Sequence, residues 1–396
     1  MKILFLTSFY SGLKKSVETG FWKPTGMPAI YKLIERLEEK NIPFDFCFID
    51  KTAKDTKEYN IDYFKSSKFY VVGCKKKIKL PKILNFFFLK IIYLKKIYKF
   101  LKQIQAKKYD LVYIDRSNVS AFIIVHYFFK IKGILRLHGI GLQYVKFKKR
   151  RSYFIKNILN YYSYKLPFKT IIASRDGTPV HEFSLKFTNK KSNKIVLLNG
   201  VDSTEFSNEK ETDNKNTINF LFVGRLEKDK GIIEIIKSFQ NHNLKNDISL
   251  TIIGDGNLKE FVKEQTLNQN HINYLGPLPH SEVKHFYMNS DVFISFNYLG
   301  NISNVVLEAI KFNLLIITFE KDIKNEKDID SNNFLGENVM YVNRNNAVSQ
   351  LKNRITLLFE NQNILQEYKL KIEMNLLPKI PSWKKRIDRE IEIIIN

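Results

Sequence analysis

Short β-branched and aromatic runs alternate with stretches of helical period along this chain, and the alternation is laid down twice. Residues 2–7, 44–49, 69–73, 109–114, 133–137, 170–173 and 195–198 form the first series of strand-like runs. Between them, Met27, Ile30, Tyr31, Ile34 and Leu37 follow helical spacing behind the breaker Pro24-Thr25-Gly26. A second series, 218–223, 249–253, 291–296, 314–318 and 339–342, is interleaved with helical patterns near 231–240, 257–266, 280–289 and 304–312. Near-continuous apolar strands joined by helices require a parallel sheet covered on both faces. Two series therefore predict an α/β chain of two doubly wound, Rossmann-like domains, with ligands bound beyond the carboxyl ends of the strands. The polar run 207–216 reads as a linker. The final segment, 382–396, spaces Trp383, Ile387, Ile391 and Ile395 four apart behind Ser382, as an amphipathic helix does.

Composition narrows the function classes. With 44% hydrophobic residues among 396, two cores can be filled. The two cysteines, Cys47 and Cys74, exclude a disulfide framework and a cysteine-based zinc site, and fit a reducing compartment. The apolar run near Met1 is too short for a secretory signal, and the longest runs are broken by Lys90, Lys130 and Lys132, short of a membrane span. We therefore expect a cytoplasmic chain.

The formal charge of +25 is concentrated in one half. Residues 1–200 hold 41 basic and 13 acidic side chains, and the remainder 24 and 27. Between Asp62 and Asp176 the only acids are Asp110 and Asp115. Such an excess calls for a polyanionic partner of that half. From Lys75 to Lys108 run twelve lysines and no acid, interleaved with Phe, Ile, Leu and Tyr, and Lys146 to Arg151 add a second cluster. Cationic amphipathic segments lie in the plane of an anionic membrane surface, each basic residue contributing about 1 kcal/mol. We expect the chain at the inner face of the cell membrane. A nucleic-acid partner would also suit the charge, but no recognition motif is present.

Two segments of the acidic half carry chemistry. Residues 223–231, Val-Gly-Arg-Leu-Glu-Lys-Asp-Lys-Gly, follow an apolar strand and open a helix. Gly224 permits a tight turn, and the free N–H groups of the helix suit a phosphate. Arg225 and Lys230 can converge on one diphosphate and stabilise the charge that develops as it leaves. Residues 301–309, Asn-Ile-Ser-Asn-Val-Val-Leu-Glu-Ala, follow the strand 291–296. There Ser303 or Asn304 can cap a helix whose N–H groups face a ligand, and Glu308 is a carboxylate suited to a ribose diol.

Taken in order, these segments resemble glycosyltransferase family 4, the retaining enzymes of GT-B fold. The landmarks are Pro24-Thr-Gly26, His138-Gly139, Asn199-Gly-Val-Asp202 with Phe206, Gly224-Arg-Leu226 with Lys230-Gly231, Gly254-Asp-Gly256, Leu275-Gly-Pro277 and Asn304-Val-Val-Leu-Glu-Ala309. The resemblance implies two Rossmann-like domains facing across a cleft: 1–190 for the acceptor, and 191–381 for the nucleotide-sugar. The helix 382–396 crosses back to the first. It implies that Arg225 and Lys230 hold the donor diphosphate, that Glu308 holds the ribose, and that backbone at Gly276 to Leu278 meets the base. Gly26 approaches the phosphate and His138 the donor sugar; Gly224, Ser303, Asn304 and Val305 complete the donor site. His126, His181, His271, His280 and His285 match no family position and read as structural or surface residues.

The implied activity is metal-independent transfer of a sugar from a nucleotide-sugar, a UDP-sugar before a GDP- or ADP-sugar, with no cofactor. The acceptor is a glycan or lipid-linked sugar of surface polysaccharide, lipooligosaccharide or glycoprotein glycan synthesis. One departure stands out. The family carries a glutamate eight positions before Glu308, and here that place is Gly300. The loop 299–304, with the Asn301 amide, is expected to meet the sugar instead. A non-catalytic GT-B partner subunit and a sugar-nucleotide epimerase are the alternatives.

Overall fold

The computed structural model describes residues 1–75, 82–140, 143–202, 217–240, 242–244, 246–326 and 328–396; the side chains of residues 11, 82–87, 145 and 149 are also outside the description. Phe206, the expected linker at 207–216 and part of the lysine-rich stretch therefore lie outside the described residues. The chain divides into two units, Met1–Ser174 with Val180–Leu197 and Lys384–Asn396, and Arg175–Pro179 with Leu198–Trp383. Among the described residues no helix is long and apolar enough to cross a membrane.

In the first unit the strands are β1 (Ile3–Ser8), β2 (Phe44–Asp50), β3 (Thr56–Tyr59), β4 (Phe69–Gly73), β5 (Leu111–Asp115), β6 (Lys132–Leu137), β7 (Thr170–Arg175) and β8 (Asn193–Leu198). They form one sheet in the order β3-β4-β2-β1-β5-β6-β7-β8. Strand β1 pairs parallel to both β2 and β5, so the chain winds outward in both directions from its first strand. Strand β8 lies in this sheet, in keeping with the first series of strand-like runs, although the resemblance sets the domain boundary before it, at 190/191. Strand β3 runs antiparallel to β4, at the edge of the sheet. The near-total burial of β1, β2, β5 and β6 shows why these segments are mainly apolar, with Asp45, Asp50, Asp115 and Arg136 as buried exceptions.

The C-terminal helix Trp383–Ile395 joins the first unit over Lys384–Asn396 through a buried ionic cluster. Glu390 Oε1 lies 3.0 Å from Arg136 Nε of β6, and Oε2 lies 2.5 Å from Arg386 Nη1. Tyr113 of β5 donates its hydroxyl to the same carboxylate at 2.6 Å. Burial alone would raise the Glu390 pKa, but Arg136 and Arg386 outweigh it and hold the carboxyl below its ordinary value. Trp383, Ile387 and Ile391 are buried as the sequence predicts, whereas Ile395 is exposed and Ile394 buried in its place. A spacing of four overshoots the helical turn by about 40° per step, so the fourth member rotates off the face.

The second unit holds β9 (Ile218–Val223), β10 (Ile248–Ile253), β11 (Ile272–Gly276), β12 (Val292–Ser295), β13 (Leu315–Phe319) and β14 (Met340–Val342). Their order is β11-β10-β9-β12-β13-β14, all parallel. One apolar cluster, around Phe220, Ile235 and Leu351, and another, around Leu221, Val306 and Ile316, fill the two sides. The chain leaves β9 toward β10 and later returns beside β9 as β12. The carboxyl ends of β9 and β12 are therefore the topological switch point, where doubly wound sheets bind ligands.

Removing one partner of the buried cluster leaves unpaired charge in the interior. Glu390→Ala is expected to destabilise the first unit by about 3–5 kcal/mol in urea unfolding. Because the folded pKa is depressed, this stabilisation is present above about pH 4.3 and is lost as pH falls through the lower folded value. Unchanged unfolding midpoints for the variant at neutral pH would contradict this role.

Candidate functional site in the second unit

The loop after β9 leaves the sheet at Gly224, whose N–H donates to Ile253 O at 3.0 Å. It turns through Lys228–Lys230 and reaches Gly231, which caps the helix Ile232–Phe239 with φ 64°. A Cβ on Gly231 would stand 2.4 Å from Phe296 Cβ and 2.7 Å from Phe296 O. Only glycine combines the left-handed turn with this approach. Tyr298 N–H adds a 2.8 Å hydrogen bond to Asp229 O. The loop carrying Lys230 is thus tied to the segment leaving β12.

The tie makes a cavity of about 260 Å³ at the switch point. Gly224 and Lys230 line it from the β9 side, Ser295 and Asn297 from the end of β12 and the segment leaving it, and Ser303, Asn304 and Val305 from the start of the helix Asn304–Lys311. Ser303 occupies the cap position in extended conformation without a side-chain cap hydrogen bond, and Asn304 Oδ1 accepts from Asn199 Nδ2 at 2.8 Å. The first N–H groups of a helix have no intrahelical acceptor and carry its positive dipole end. Lys230 Nζ is half-buried, 3.9 Å from Asp229 Oδ2. Burial is the main cause of its pKa lying below the ordinary lysine value; Asp229 and Asp176 oppose the shift and Arg225 adds to it. Arg225 is exposed, and among the described residues its side chain makes no ion pair. A partly desolvated lysine and a helix start on one small cavity are equipped for an anion of diphosphate size.

Glu308 lies elsewhere. It lines a neighbouring cavity of about 130 Å³ with Val201, Asp202, His280, Tyr287 and Phe312. Its Oε1 is 3.2 Å from His280 Nε2, and its Oε2 accepts from Tyr287 OH at 3.2 Å. His280, read from sequence as a structural or surface residue, therefore touches a predicted site residue. Val305 and Glu308 are three apart on one helix and so lie on the same side of it, one lining each cavity.

Other expected members are dispersed. Asn301 is wholly buried, its backbone N–H donating to Asp328 Oδ1 at 2.8 Å and its Nδ2 to Phe319 O at 2.9 Å. The amide donor is engaged inward rather than offered to a sugar. Leu278 packs, half-buried, on the second unit's core. Gly276, at the end of β11, and Gly26, in the first unit, have positive φ and open space where a Cβ would stand. His138 follows β6 in the first unit, with Tyr10 edge-on at 6.4 Å and its buried Nε2 without a hydrogen-bond partner. Burial, reinforced by Arg136, Arg386 and Arg116, holds its pKa well below the usual value, so the ring is neutral at neutral pH.

Gly300 is explained by its neighbours. A Cβ there would lie 2.6 Å from Asp176 O and 2.8 Å from the Gly177 carbonyl carbon. Gly177, at φ 84°, in turn has Asn301 N only 2.3 Å from its own Cβ position. The segment Arg175–Pro179 fills the space a side chain at 300 would need, and it brings the Asp176 carboxylate into the electrostatic environment of Lys230.

Sequence reasoning missed a constellation at the first unit's own switch point, between β1 and β5. The buried Asp115 accepts from Ser8 N–H at 2.8 Å, Tyr10 OH at 2.8 Å, and Asn118 N–H and Nδ2 at 3.0 and 2.9 Å. Its signal was in the sequence: it is one of two acids in a stretch of more than a hundred residues, and it ends an apolar strand.

The architecture is the GT-B fold: sucrose-phosphate synthase from Thermosynechococcus elongatus superposes with a TM-score of 0.66 over 99% of this chain and 98% of its own, at 15% identity. Anabaena HepE, solved with UDP and glucose, superposes with a TM-score of 0.61 over the same shares, also at 15% identity. In sequence, residues 203–372 match the family described as glycosyl transferases group 1. An uncharacterized glycosyltransferase of Methanocaldococcus jannaschii is 26% identical over 285 residues, 68% of this chain and 70% of its own length.

Because backbone fills the space beside residue 300, Gly300→Glu is expected to destabilise the second unit by about 1–3 kcal/mol or more. A thermal midpoint equal to that of the unsubstituted chain would show that the contact yields freely.

Proposed function

We propose that this chain is a glycosyltransferase that takes a sugar from a nucleotide-sugar, by preference a UDP-sugar, and passes it with retention to a glycan or lipid-linked acceptor. The observation that carries the proposal is the desolvated Lys230 beside the start of the helix Asn304–Lys311, around one cavity at the β9/β12 switch point. The match to glycosyl transferases group 1 and the UDP bound to the structurally similar HepE support the same donor class.

In this scheme the diphosphate of the donor occupies the cavity. As the bond from the sugar to the diphosphate breaks, charge accumulates on the leaving oxygens. Lys230 and the N–H groups near Asn304 line that cavity, so they meet the charge with little reorganisation, and Arg225, exposed on the same loop, adds a second cation by resemblance. Glu308 takes the ribose hydroxyls, its two oxygens fixed by His280 and Tyr287. By resemblance, Gly276 and Leu278 serve the base, Asn301 belongs to the sugar loop, Gly26 serves the phosphate and His138 the sugar. A neutral His138 suits that role, since it can share a hydrogen bond with a hydroxyl without adding charge.

The filled position at Gly300 gives weight to the second reading, a partner subunit that keeps the fold without turnover. Nucleotide release from UDP-sugars separates the two. Active protein should lose about a hundredfold or more in kcat in Lys230→Met and Glu308→Ala, with circular dichroism unchanged. Turnover at the unsubstituted rate in both variants removes the site assignment; UDP binding with no turnover in any donor screen favours the subunit.

A further inference from the structure

The surplus charge of the first unit has a definite face. On the helix Lys82–Gln103, residues Tyr93, Ile97, Phe100 and Leu101 turn into the core. The outward stripe is Phe88, Ile91, Lys95, Tyr98, Lys99 and Lys102, all exposed and spaced so as to share one side. Tyr98 meets the ring of Phe128 edge-on at 5.4 Å. Phe128 and Tyr127 belong to the π-helical turn Val125–Phe129 and stand 59% and 62% exposed, followed by the exposed Lys130.

Two properties of this face decide what it fits. Among the described residues Lys95, Lys99, Lys102 and Lys130 pair with no acid, and the sequence offers only Asp110 and Asp115 within more than a hundred residues. Asp115 is taken by Ser8, Tyr10 and Asn118, and Asp110 accepts from Lys2 N–H at 2.6 Å. In addition, large apolar side chains stand among the ammonium groups, where a merely solvated lysine face has none. Aromatic rings favour the boundary between headgroups and acyl chains, and ammonium groups favour anionic headgroups. An aliphatic group such as Ile91 offers a nucleic acid neither a stacking plane nor a hydrogen bond, but gains by leaving water for acyl chains. The other basic cluster is less suited, since Lys146 is drawn over the Tyr153 ring at 5.6 Å.

We propose that the outward stripe of the helix Lys82–Gln103, together with Tyr127 and Phe128, docks the first unit on an anionic lipid surface. The lysines hold the headgroups and the aromatic side chains enter the boundary beneath them. The proposal concerns the first unit alone and is independent of glycosyl transfer.

The test is co-sedimentation of the full chain with phosphatidylcholine vesicles, with and without about 30% phosphatidylglycerol. The expected result is binding to the anionic vesicles only, released by salt, and weakened about a hundredfold or more when Lys95→Glu, Lys99→Glu and Lys102→Glu are combined. Phe128→Trp supplies a readout that does not depend on removing charge: its emission should shift to the blue on anionic vesicles, over the background of Trp22 and Trp383. Absence of vesicle binding, equal binding by the triple variant, an unshifted Phe128→Trp emission, or tighter binding to single-stranded RNA than to vesicles would each overturn the proposal.

Discussion

The contact of Gly231 with Phe296 is the constraint on which the candidate site depends. It lets the loop after β9 lie directly on the chain leaving β12, with backbone where any other residue would place a side chain. Without that approach Lys230 would sit away from the start of the helix Asn304–Lys311, and the cavity would lose one wall. The hydrogen bond from Tyr298 to Asp229 fixes the same junction from the other side of Lys230. The depressed pKa of Lys230 follows from this placement, because the ammonium is drawn out of water before any ligand arrives. A cation held that way gains more from an arriving anion than an exposed one does, which is what an anion-binding site requires.

Much of this was legible in the sequence, for identifiable reasons. Strands buried on both faces are apolar at most positions, so β1, β2, β9 and β12 stand out as runs. Strands β3 and β11 were missed: Thr56–Tyr59 is a largely exposed antiparallel edge, and Ile272–Gly276 alternates buried and open positions with Asn273 and the exposed Leu275. Edge strands do not need an apolar run, so periodicity could not reveal them. The site was legible where one segment contains the whole device, as in Gly224 to Gly231. It was not legible where distant segments meet: the partnership of Glu308 with His280 and Tyr287, and the blocking of Gly300 by Gly177, depend on contacts that spacing cannot express. The inward-facing amide of Asn301 belongs to the same class, since a polar residue in a glycine-containing loop reads as exposed until its partners Asp328 and Phe319 are known.

The two halves carry different electrostatics, and the two proposals assign them different anions. The second half is nearly balanced and places one partly desolvated cation, Lys230, on the switch-point cavity. The first unit spreads lysine over a helix face with few acids, as an extended surface of dilute charge demands. Within that basic unit, Glu390 and Asp115 are used internally, one to seat the C-terminal helix on Arg136 and one to order the β1–β5 switch point. These two carboxylates are thus used where burial makes each of them strong, and neither offsets the lysines on the outward side of the helix Lys82–Gln103.

The central claim, that the β9/β12 switch point receives a nucleoside diphosphate, is tested most directly by amide hydrogen exchange with and without saturating UDP. Slowed exchange confined to 224–231 and to the helix start at 303–308 is the predicted result. Unchanged exchange in both segments, or protection only outside the second unit, would contradict it.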